Sequence, residues 1–219
     1  MSQKTWTAVD DYFSGMLLQP DTALDAATDA SEAAGLPDIA VAPNQGKLLY
    51  LLARMQGAKR ILEIGTLGGY STIWLARALP PGGKLVTLEY DPKHADVARE
   101  NVARAGFAGV VEVRTGRALD LLPSLPGSFD FFFIDANKDG YPDYFRWVLK
   151  LSRPGNVMVF DNVVRNGKVI DAKTTDALVQ GVRRLNEAIA AEPRVSATAI
   201  QTVGVKGYDG FLIALVTGD

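Results

Sequence analysis

The sequence predicts an α/β fold in which a mostly parallel sheet of seven strands carries helices on both faces. Three observations lead to this prediction. Short apolar segments rich in Val, Ile and Phe alternate along the chain with longer segments of helical periodicity. The segment FDFFFIDA, residues 129–136, is apolar enough to be buried on both faces of a sheet. Two last strands, near 195–203 and 210–216, flank a Gly-rich turn and predict an antiparallel hairpin.

Composition excludes several classes of function. The chain has 219 residues, 47% of them hydrophobic and 22% charged, with a formal net charge of −2. This composition fits one globular domain and offers no basic excess for binding nucleic acid. No apolar run is long enough to cross a membrane, and the first residues do not resemble a signal peptide. Because cysteine is absent, disulfides and thiol chemistry are excluded, and we expect a cytoplasmic protein.

Residues 1–46 differ from the rest of the single domain that we expect over residues 1–219. Between Asp10 and Asp38 there are seven acidic residues and no Lys or Arg. Pro and Gly divide this segment into short helical pieces. The apolar face of one piece is formed by Tyr12, Phe13, Met16, Leu17 and Leu18. We interpret the segment as a helical cap packed on the main domain, and a partly disordered acidic leader is the alternative.

The remaining elements follow from apolar periodicity and from turn residues. Strands are predicted at 61–64, 84–90, 110–113, 129–136 and 157–160. Helices are predicted at 46–55, 70–79, 92–105, 118–122, 141–151 and 175–190. Asp91 followed by Pro92 is typical of a helix start, and Gly57 is typical of a helix end. The inward stripe predicted for the last helix consists of Leu178, Val182, Leu185 and Ile189.

The stretch RILEIGTLGGYS, residues 60–71, carries the main candidate site. A strand ends at Gly65, a glycine-rich turn follows, and a helix begins near Tyr70. This arrangement places backbone N–H groups and a helix N-terminus at one point, which suits an anionic or strongly polar ligand. Glu63 lies inside the strand, where a carboxylate must be paired or face a ligand. A tight turn without a ligand is the alternative.

Polar residues also follow the other strands, and ligands bind beyond the carboxyl ends of strands in open α/β sheets. Glu89 ends the second strand, where an acidic residue can accept hydrogen bonds from a ribose diol. Asp135 ends the fourth strand, and Asp161 and Asn162 end the fifth. If those two strands are neighbours, these three side chains converge as hard oxygen ligands for Mg²⁺ or Ca²⁺. A capped turn at 161–162 is the alternative.

Lys138 is the candidate base, since it follows Asp135 by three residues. A nearby divalent cation would lower the pKa of its amine and favour the neutral form. The alternative is a solvated loop lysine, and pairing with Asp139 would oppose the shift. His94, the one histidine, lies in the helix after the second strand and away from the Asp pair. A histidine base or a Ser–His triad is therefore disfavoured.

Three segments together resemble the metal-dependent O-methyltransferases, namely EIGTLGGYS (63–71), IDANKD (134–139) and FDN (160–162). These class I methyltransferases have a Rossmann-like fold, and they include catechol and caffeoyl-CoA O-methyltransferases. The resemblance covers the chain from about Leu36 to the C-terminus. It implies S-adenosylmethionine as the methyl donor and Mg²⁺, or another divalent cation such as Mn²⁺ or Ca²⁺. It also implies a small phenolic substrate of catechol type and a homodimer.

The resemblance also implies roles for individual residues. The residues expected to contact the cofactor are Val41, Glu63, Gly65, Thr66, Ser71, Glu89, Ala118 and Asp135. The expected metal ligands are Asp135, Asp161 and Asn162. Lys138, with Asp135 beside it, is the expected catalytic base, and Lys138 and Asn166 match substrate-side positions. The plant enzymes carry Asp where this chain has Asn137, and an aromatic residue where it has Arg165.

Two other functions remain open at this stage. A nicotinamide-dependent dehydrogenase of Rossmann type is disfavoured, because Gly65, Gly68 and Gly69 do not fit G-x-G-x-x-G. A methyltransferase-like fold kept only as a binding subunit is disfavoured by the intact metal ligands and Lys138. Within the methyltransferase interpretation, the acidic N-terminal segment favours small neutral phenols over CoA thioesters, whose phosphates it would repel if it borders the site.

Overall fold

The computed structural model describes residues 2–218, which form a seven-stranded sheet with helices on both faces. The strands are β1 (Arg60–Ile64), β2 (Lys84–Glu89), β3 (Val111–Thr115), β4 (Phe131–Ile134), β5 (Val157–Asp161), β6 (Val195–Gly204) and β7 (Gly207–Val216). The helices are α1 (Gln3–Leu17), α2 (Thr22–Ala33), α3 (Pro43–Gln56), α4 (Tyr70–Ala78), α5 (Pro92–Arg104), α6 (Ala118–Leu121), α7 (Tyr141–Lys150) and α8 (Ala177–Ala190). The predicted fold class is therefore confirmed.

The strand order is β3-β2-β1-β4-β5-β7-β6. Strands β1 to β5 are parallel, whereas β7 is antiparallel to both β5 and β6. The predicted closing hairpin is present, with Val205 and Lys206 between its strands. The order of the sheet reverses at β1, which pairs with β2 on one side and with β4 on the other. A crevice for a ligand is expected beyond the carboxyl ends of the strands at such a reversal.

Capping residues set the predicted ends of several helices. Asp91 Oδ1 accepts hydrogen bonds from the backbone N–H groups of Lys93 and His94, and Pro92 takes the first position of α5. Asp176 caps α8 in the same way, which places the start of α8 slightly after the predicted position. Gly57 ends α3 in the left-handed conformation, with φ of +66°. Within residues 2–218, every helix is too short or too polar to cross a membrane.

Strand β4 supplies apolar side chains to two cores on opposite faces of the sheet. Phe132 packs on one face in a cluster that also contains Val182 of α8. Phe131 packs on the other face in a cluster that contains Leu75 of α4. The strand is shorter than the predicted segment 129–136, but its four residues are all fully buried, as the apolar run predicted.

The N-terminal segment is attached to the sheet domain mainly through α2. Leu24 and Ala27 of this helix are buried in a cluster with Ile73, Trp74 and Val102. These three residues belong to α4 and α5, the helices that cover one face of the sheet. The second N-terminal helix therefore packs as the sequence analysis predicted for the cap.

Helix α1 has no buried residue, and of the predicted apolar face only Leu18, directly after the helix, packs against the α2 cluster. The exposed fractions of Tyr12, Phe13, Met16 and Leu17 lie between 48% and 68%. Polar groups attach this helix instead. Gln3 Nε2 donates to the carbonyl oxygen of Gly204, and Asp10 accepts from the backbone N–H of Val205. Gln3 and Asp10 lie on one side of α1, so that side faces the β6–β7 hairpin and the apolar face is left exposed.

The buried stripe of α8 also differs from the prediction at one position. Val182, Leu185 and Ile189 are buried as predicted, but Leu178 is 38% exposed and Val179 is buried in its place. Because α8 begins only at Ala177, Leu178 lies in the first turn of the helix. There it borders the cavity described next.

Candidate active site

A cavity of about 1220 Å³ lies beyond the carboxyl ends of the parallel strands, at the edge that the sequence predicted. Pockets for one drug-sized ligand measure roughly 300–1,000 Å³, so this cavity has room for a cofactor and a small substrate. The predicted site residues that line it are Val41, Gly65, Thr66, Ser71, Glu89, Ala118, Asp135, Lys138 and Asn162. The predicted site residues outside its wall are Glu63, Asp161 and Asn166.

The glycine-rich turn is shaped by a close contact between β1 and β4. Gly65 has φ of +98°, and a Cβ atom at this position would lie 2.1 Å from the backbone oxygen of Asp135. Its N–H donates to the carbonyl oxygen of Leu88, which ties the turn to β2. Gly69, with φ of +84°, precedes the first residue of α4. Glycine is therefore required here by backbone packing, and the turn directs the start of α4 toward the cavity.

The carboxylate of Glu89 holds this turn in place. Its Oε2 atom accepts from the backbone N–H groups of Thr66 at 3.0 Å and Leu67 at 2.8 Å. Its Oε1 atom accepts from the N–H of Asp91 at 2.9 Å, and His94 Nδ1 lies 3.7 Å from the same atom. The sequence predicted only a contact with a ligand. The structure shows that this carboxylate, while lining the cavity, also anchors the glycine turn.

Glu63 is fully buried and paired within the protein. Its carboxylate accepts from Ser71 Oγ at 2.6 Å and from Thr72 Oγ1, which connects β1 to the first turn of α4. Burial raises the pKa of Glu63 to about 7, against the opposing hydrogen bonds from Ser71, Thr72 and Thr87. The sequence left open whether the Glu63 carboxylate is paired within the protein or faces a ligand. In the structure it is paired. Any influence on a ligand passes through Ser71.

Asp135 and Lys138 form a charged pair in the cavity wall. Lys138 Nζ lies 2.6 Å from Asp135 Oδ1 and 5.1 Å from the centroid of the Tyr141 ring. The Lys138 side chain is only 8% exposed, so it is not a solvated loop lysine. Asp139 accepts a hydrogen bond from Asn137 Nδ2 at 2.7 Å and forms no ion pair with Lys138. The sequence analysis considered an ion pair between Lys138 and Asp139. In the structure Lys138 pairs with Asp135 instead.

Strands β4 and β5 are adjacent, as the predicted convergence of Asp135 and Asp161 requires. Ile134 is aligned with Phe160, so the two aspartates occupy the next position on strands whose axes are about 5 Å apart. The Tyr141 hydroxyl lies 2.7 Å from the backbone oxygen of Asp161 and joins the strand ends. Burial raises the pKa of Asp161 to about 7, the charge of Asp135 adds to the shift, and Lys138 opposes it.

The donor set at this end of the cavity fits a hard divalent cation. Two carboxyl groups, those of Asp135 and Asp161, lie within electrostatic range of each other, and Asp135 is paired with the ammonium group of Lys138. The Asn162 amide adds a third oxygen, and oxygen donors are those that Mg²⁺, Mn²⁺ and Ca²⁺ prefer. Asn162 has φ of +54°, an uncommon conformation that often occurs at functional sites. A group of three His, Cys, Asp or Glu side chains with metal-binding geometry does not occur within residues 2–218.

Several cavity residues were not predicted as site residues. Among them are Leu36, Tyr70, Tyr90, Leu119, Tyr144, Arg165 and Leu178. These seven come from seven separate parts of the chain, so no local pattern identifies them as a group. Arg165 is the exception, because its difference from the aromatic residue of the plant enzymes was visible in the sequence. It lies in the loop after β5, where Arg165 and Asn166 both have φ of +55°.

The strand order distinguishes the dinucleotide-binding Rossmann fold from the class I methyltransferase fold, which both have a glycine-rich turn after the first strand. An antiparallel β7 placed between β5 and β6 is absent from the sheet order of the dinucleotide-binding Rossmann fold. With the acidic residue at the end of β2 next to the turn, this topology defines the class I methyltransferase fold. A family model described as O-methyltransferase matches residues 21–215. The chain therefore belongs to the O-methyltransferase family.

Individual relatives agree with this assignment over nearly the whole chain. A catechol O-methyltransferase of Niastella koreensis is 54% identical over 220 residues, which cover 99% of this chain and 100% of that protein. The structure of an O-methyltransferase from Bacillus cereus in complex with SAH is 58% identical, with a TM-score of 0.98 and coverage of 99% and 100%. The O-methyltransferase TomG from Streptomyces achromogenes, involved in tomaymycin synthesis and solved with SAM, is 57% identical, with a TM-score of 0.97 and full coverage of both chains.

These findings establish that the chain is an S-adenosylmethionine-dependent O-methyltransferase. The two other functions left open by the sequence, a nicotinamide-dependent dehydrogenase and a binding subunit without activity, do not agree with them. The cavity and its glycine turn are therefore interpreted below as the site of methyl transfer.

Proposed function

We propose that this enzyme methylates one hydroxyl of a catechol-type small molecule, with the help of Mg²⁺ or another divalent cation such as Mn²⁺ or Ca²⁺. The observation that carries the proposal is the placement of Asp135, Asp161 and Asn162 together at strand ends, beside Lys138 and next to the glycine turn. The name of the Niastella koreensis relative, a catechol O-methyltransferase, supports the substrate class.

In this proposal the cofactor lies along the glycine turn and the end of β2. Gly65, Thr66 and Ser71 contact its methionine part, and Glu63 acts there indirectly because it binds the hydroxyl of Ser71. Glu89 accepts from the ribose hydroxyls with the lone pairs that remain after its bonds to the turn. The residues proposed to contact the adenine end and the outer side of the cofactor are Ala118 and Val41, which both line the cavity.

The proposed metal ligands are Asp135, Asp161 and Asn162, with Asp135 also next to the cofactor. When bound, the cation would supply charge that lowers the pKa of the reacting hydroxyl and would orient two adjacent oxygens of the substrate. Asn166 is the further proposed substrate contact. Its side chain is exposed and lies outside the cavity wall, so a substrate would reach it only by extending beyond the wall at the loop after β5.

Lys138 is the proposed base. Its Nζ atom lies 2.6 Å from Asp135 Oδ1. A cation held by Asp135 would share this carboxylate and weaken its attraction for the lysine. The amine takes the hydroxyl proton, and the oxygen forms a bond to the methyl carbon while the bond from that carbon to sulfur breaks. Because the sulfonium methyl is already activated, positioning supplies most of the acceleration.

The proposal is tested by comparing caffeic acid with p-coumaric acid, which lacks one of the two adjacent hydroxyls. We expect kcat/KM to be roughly a hundredfold higher for caffeic acid in the presence of Mg²⁺, because only a diol offers two adjacent oxygens to the cation. With EDTA, this preference should disappear. Calorimetry of S-adenosylmethionine binding, with and without EDTA, controls for loss of the cofactor site. Equal rates for the two acids, or a preference that survives EDTA, would contradict the proposal.

Two further proposals concern the whole chain. Residues 1–219 form one methyltransferase domain, which the burial of α2 against α4 and α5 supports. The enzyme is a homodimer, which the exposed apolar face of α1 supports. The cytoplasmic location stays a prediction from the sequence.

A further inference from the structure

We infer that Arg165 determines substrate specificity by binding a carboxylate, so that the preferred substrate is a catechol that carries one carboxylate. This inference rests on the proposed function and narrows its substrate class. It begins with the position of the side chain, because Arg165 borders the cavity together with Asn162, Asp135 and Lys138.

The backbone that carries Arg165 is held in an unfavourable conformation. Asn162, Arg165 and Asn166 have φ between +54° and +55°, and such angles are unfavourable for an arginine. Asp209 stabilises this loop, since its Oδ1 atom accepts from the N–H groups of Val164 at 3.0 Å and Arg165 at 2.9 Å. The loop therefore holds the Arg165 side chain at a defined place on the cavity wall.

The guanidinium group of Arg165 has no partner among the described residues 2–218. Its Nε atom is buried without a hydrogen-bond acceptor, and no carboxylate lies within ion-pair distance of the group. Buried polar groups in proteins are nearly always hydrogen-bonded, and an unpaired one is unfavourable. A planar guanidinium is well suited to bind a carboxylate through two parallel hydrogen bonds. A ligand carboxylate would provide the missing acceptor.

The charges around the cavity make Arg165 the place where a carboxylate is best tolerated. The carboxylates of the cavity wall are those of Glu32, Asp38, Glu89, Asp135, Asp139 and Asp143. Lys138 is already paired with Asp135, and Arg117 lies beside Ala118 at the proposed adenine end. A polyanion such as a CoA thioester would meet repulsion from Glu32 and Asp38. The preference for neutral phenols expected from the acidic cap is therefore modified, because one carboxylate has a cationic partner.

Arg165 and the proposed metal ligands are close along the chain and border one cavity. Arg165 follows Asn162 by three residues, so their Cα atoms are at most about 10 Å apart. Because both residues line the same cavity, a single small molecule can contact both. We therefore expect the carboxylate to stand on the aromatic ring or on a short side chain.

The test compares 3,4-dihydroxybenzoate with 3,4-dihydroxybenzamide, which has nearly the same shape and no charge. We expect the wild-type enzyme to prefer the carboxylate by at least about tenfold in kcat/KM. Arg165→Met should lower kcat/KM for the carboxylate by roughly 10- to 100-fold and change that for the amide by less than about threefold. Arg165→Lys should keep part of the preference, because it keeps the charge. In the complex of the enzyme with SAH, Arg165→Met should raise the dissociation constant of the carboxylate. It should leave the dissociation constant of the amide nearly unchanged.

Lys168→Met is the matched control, because it removes an exposed cation of the same loop that does not line the cavity. It should leave both substrates unaffected. Equal losses for the two substrates in Arg165→Met, or no preference in the wild type, would overturn the inference while the proposed function stands. If the wild type methylates neither compound, the proposed function is wrong, and the two dissociation constants still decide the role of Arg165. If Arg165→Met does not fold, the wild-type preference and Arg165→Lys decide.

Discussion

Two glutamates, Glu63 and Glu89, hold the glycine-turn side of the cavity together through hydrogen bonds within the chain. Glu89 accepts from the N–H groups of Thr66 and Leu67, and Glu63 accepts from the hydroxyl of Ser71. Both carboxylates are buried, so each bond replaces one to water that the residue loses on folding. A residue that sequence analysis assigns to a ligand can therefore act by fixing the residues that touch the ligand.

Glu63 makes stability depend on pH. Its pKa is about 7 in the folded chain against 4.5 for the ordinary group, because burial disfavours the charged form. The folded chain therefore binds this proton more tightly than the unfolded chain. The free energy of unfolding should fall as pH rises from about 5 to 7, by up to about 3 kcal/mol from this residue, and then level off. Glu63→Gln should remove this part of the pH dependence.

Urea unfolding of the wild type and Glu63→Gln at pH 5, 6, 7 and 8 measures this effect. Because the pKa of Asp161 is also raised to about 7, the informative quantity is the difference between the two proteins at each pH. Glu187→Gln, at an exposed position of α8, is the control and should follow the wild type. Parallel curves for the wild type and Glu63→Gln would rule out the buried, protonated state of Glu63 below pH 7.

At the level of elements, the close approach of β1 and β4 decides the shape of the site. The N–H of Asp135 donates to the carbonyl oxygen of Ile64 at 2.9 Å, directly before the glycine turn. The absence of a side chain at Gly65 allows the backbone of Asp135 to lie against the turn. The glycine turn and the acidic end of the cavity are therefore neighbours because two parallel strands meet at the reversal of the sheet.

Gly65→Ala should destabilise the enzyme by at least about 2 kcal/mol, because the new Cβ atom meets the Asp135 backbone and the φ of +98° is strained. Gly57→Ala is the matched control. Its φ of +66° carries similar strain, but no atom lies within 4 Å of the added Cβ, so a loss of about 1 kcal/mol is expected. Urea denaturation at one pH compares the two variants. Equal losses would show that the contact with Asp135 can relax.

At the level of the whole molecule, α1 is the feature that the folded chain leaves unexplained. It exposes five large apolar side chains, those of Val9, Tyr12, Phe13, Met16 and Leu17, while its polar residues attach it to the β6–β7 turn. Contiguous exposed apolar patches of this kind commonly mark interaction sites. The proposed homodimer would bury this face of α1.

Sedimentation velocity tests the dimer. The wild type should sediment at about twice the chain mass of 23.5 kDa. Met16→Glu should shift the population toward the monomer, because it places a charge in the apolar face of α1. Lys4→Glu, at an exposed position on the opposite side of the helix, should leave the dimer intact. A monomeric wild type, or equal effects of the two variants, would contradict a dimer formed through this face.

The types and order of the elements could be read from the sequence, since they depend on interactions over short stretches of chain. Apolar periodicity located all seven strands, and Asp91, Pro92 and Gly57 marked helix ends where the structure has them. The glycine turn and the polar residues at strand ends were equally visible. The rule that parallel strands present their carboxyl ends at one edge then placed these residues around a common cavity.

Only the tertiary structure decided which partners the polar groups have. It determined that Glu89 binds the turn, that Lys138 pairs with Asp135, and that Arg165 has no acceptor among the described residues. It also determined that the apolar face of α1 is exposed. Most of these facts depend on residues far apart in the chain, which a local apolar or charged pattern does not identify. The pairing of Lys138 with Asp135 joins residues three apart, but it depends on the conformation of the loop after β4. The sequence by itself determined the elements and the chemistry they carry, whereas packing determined which groups remain available to a ligand or a second chain.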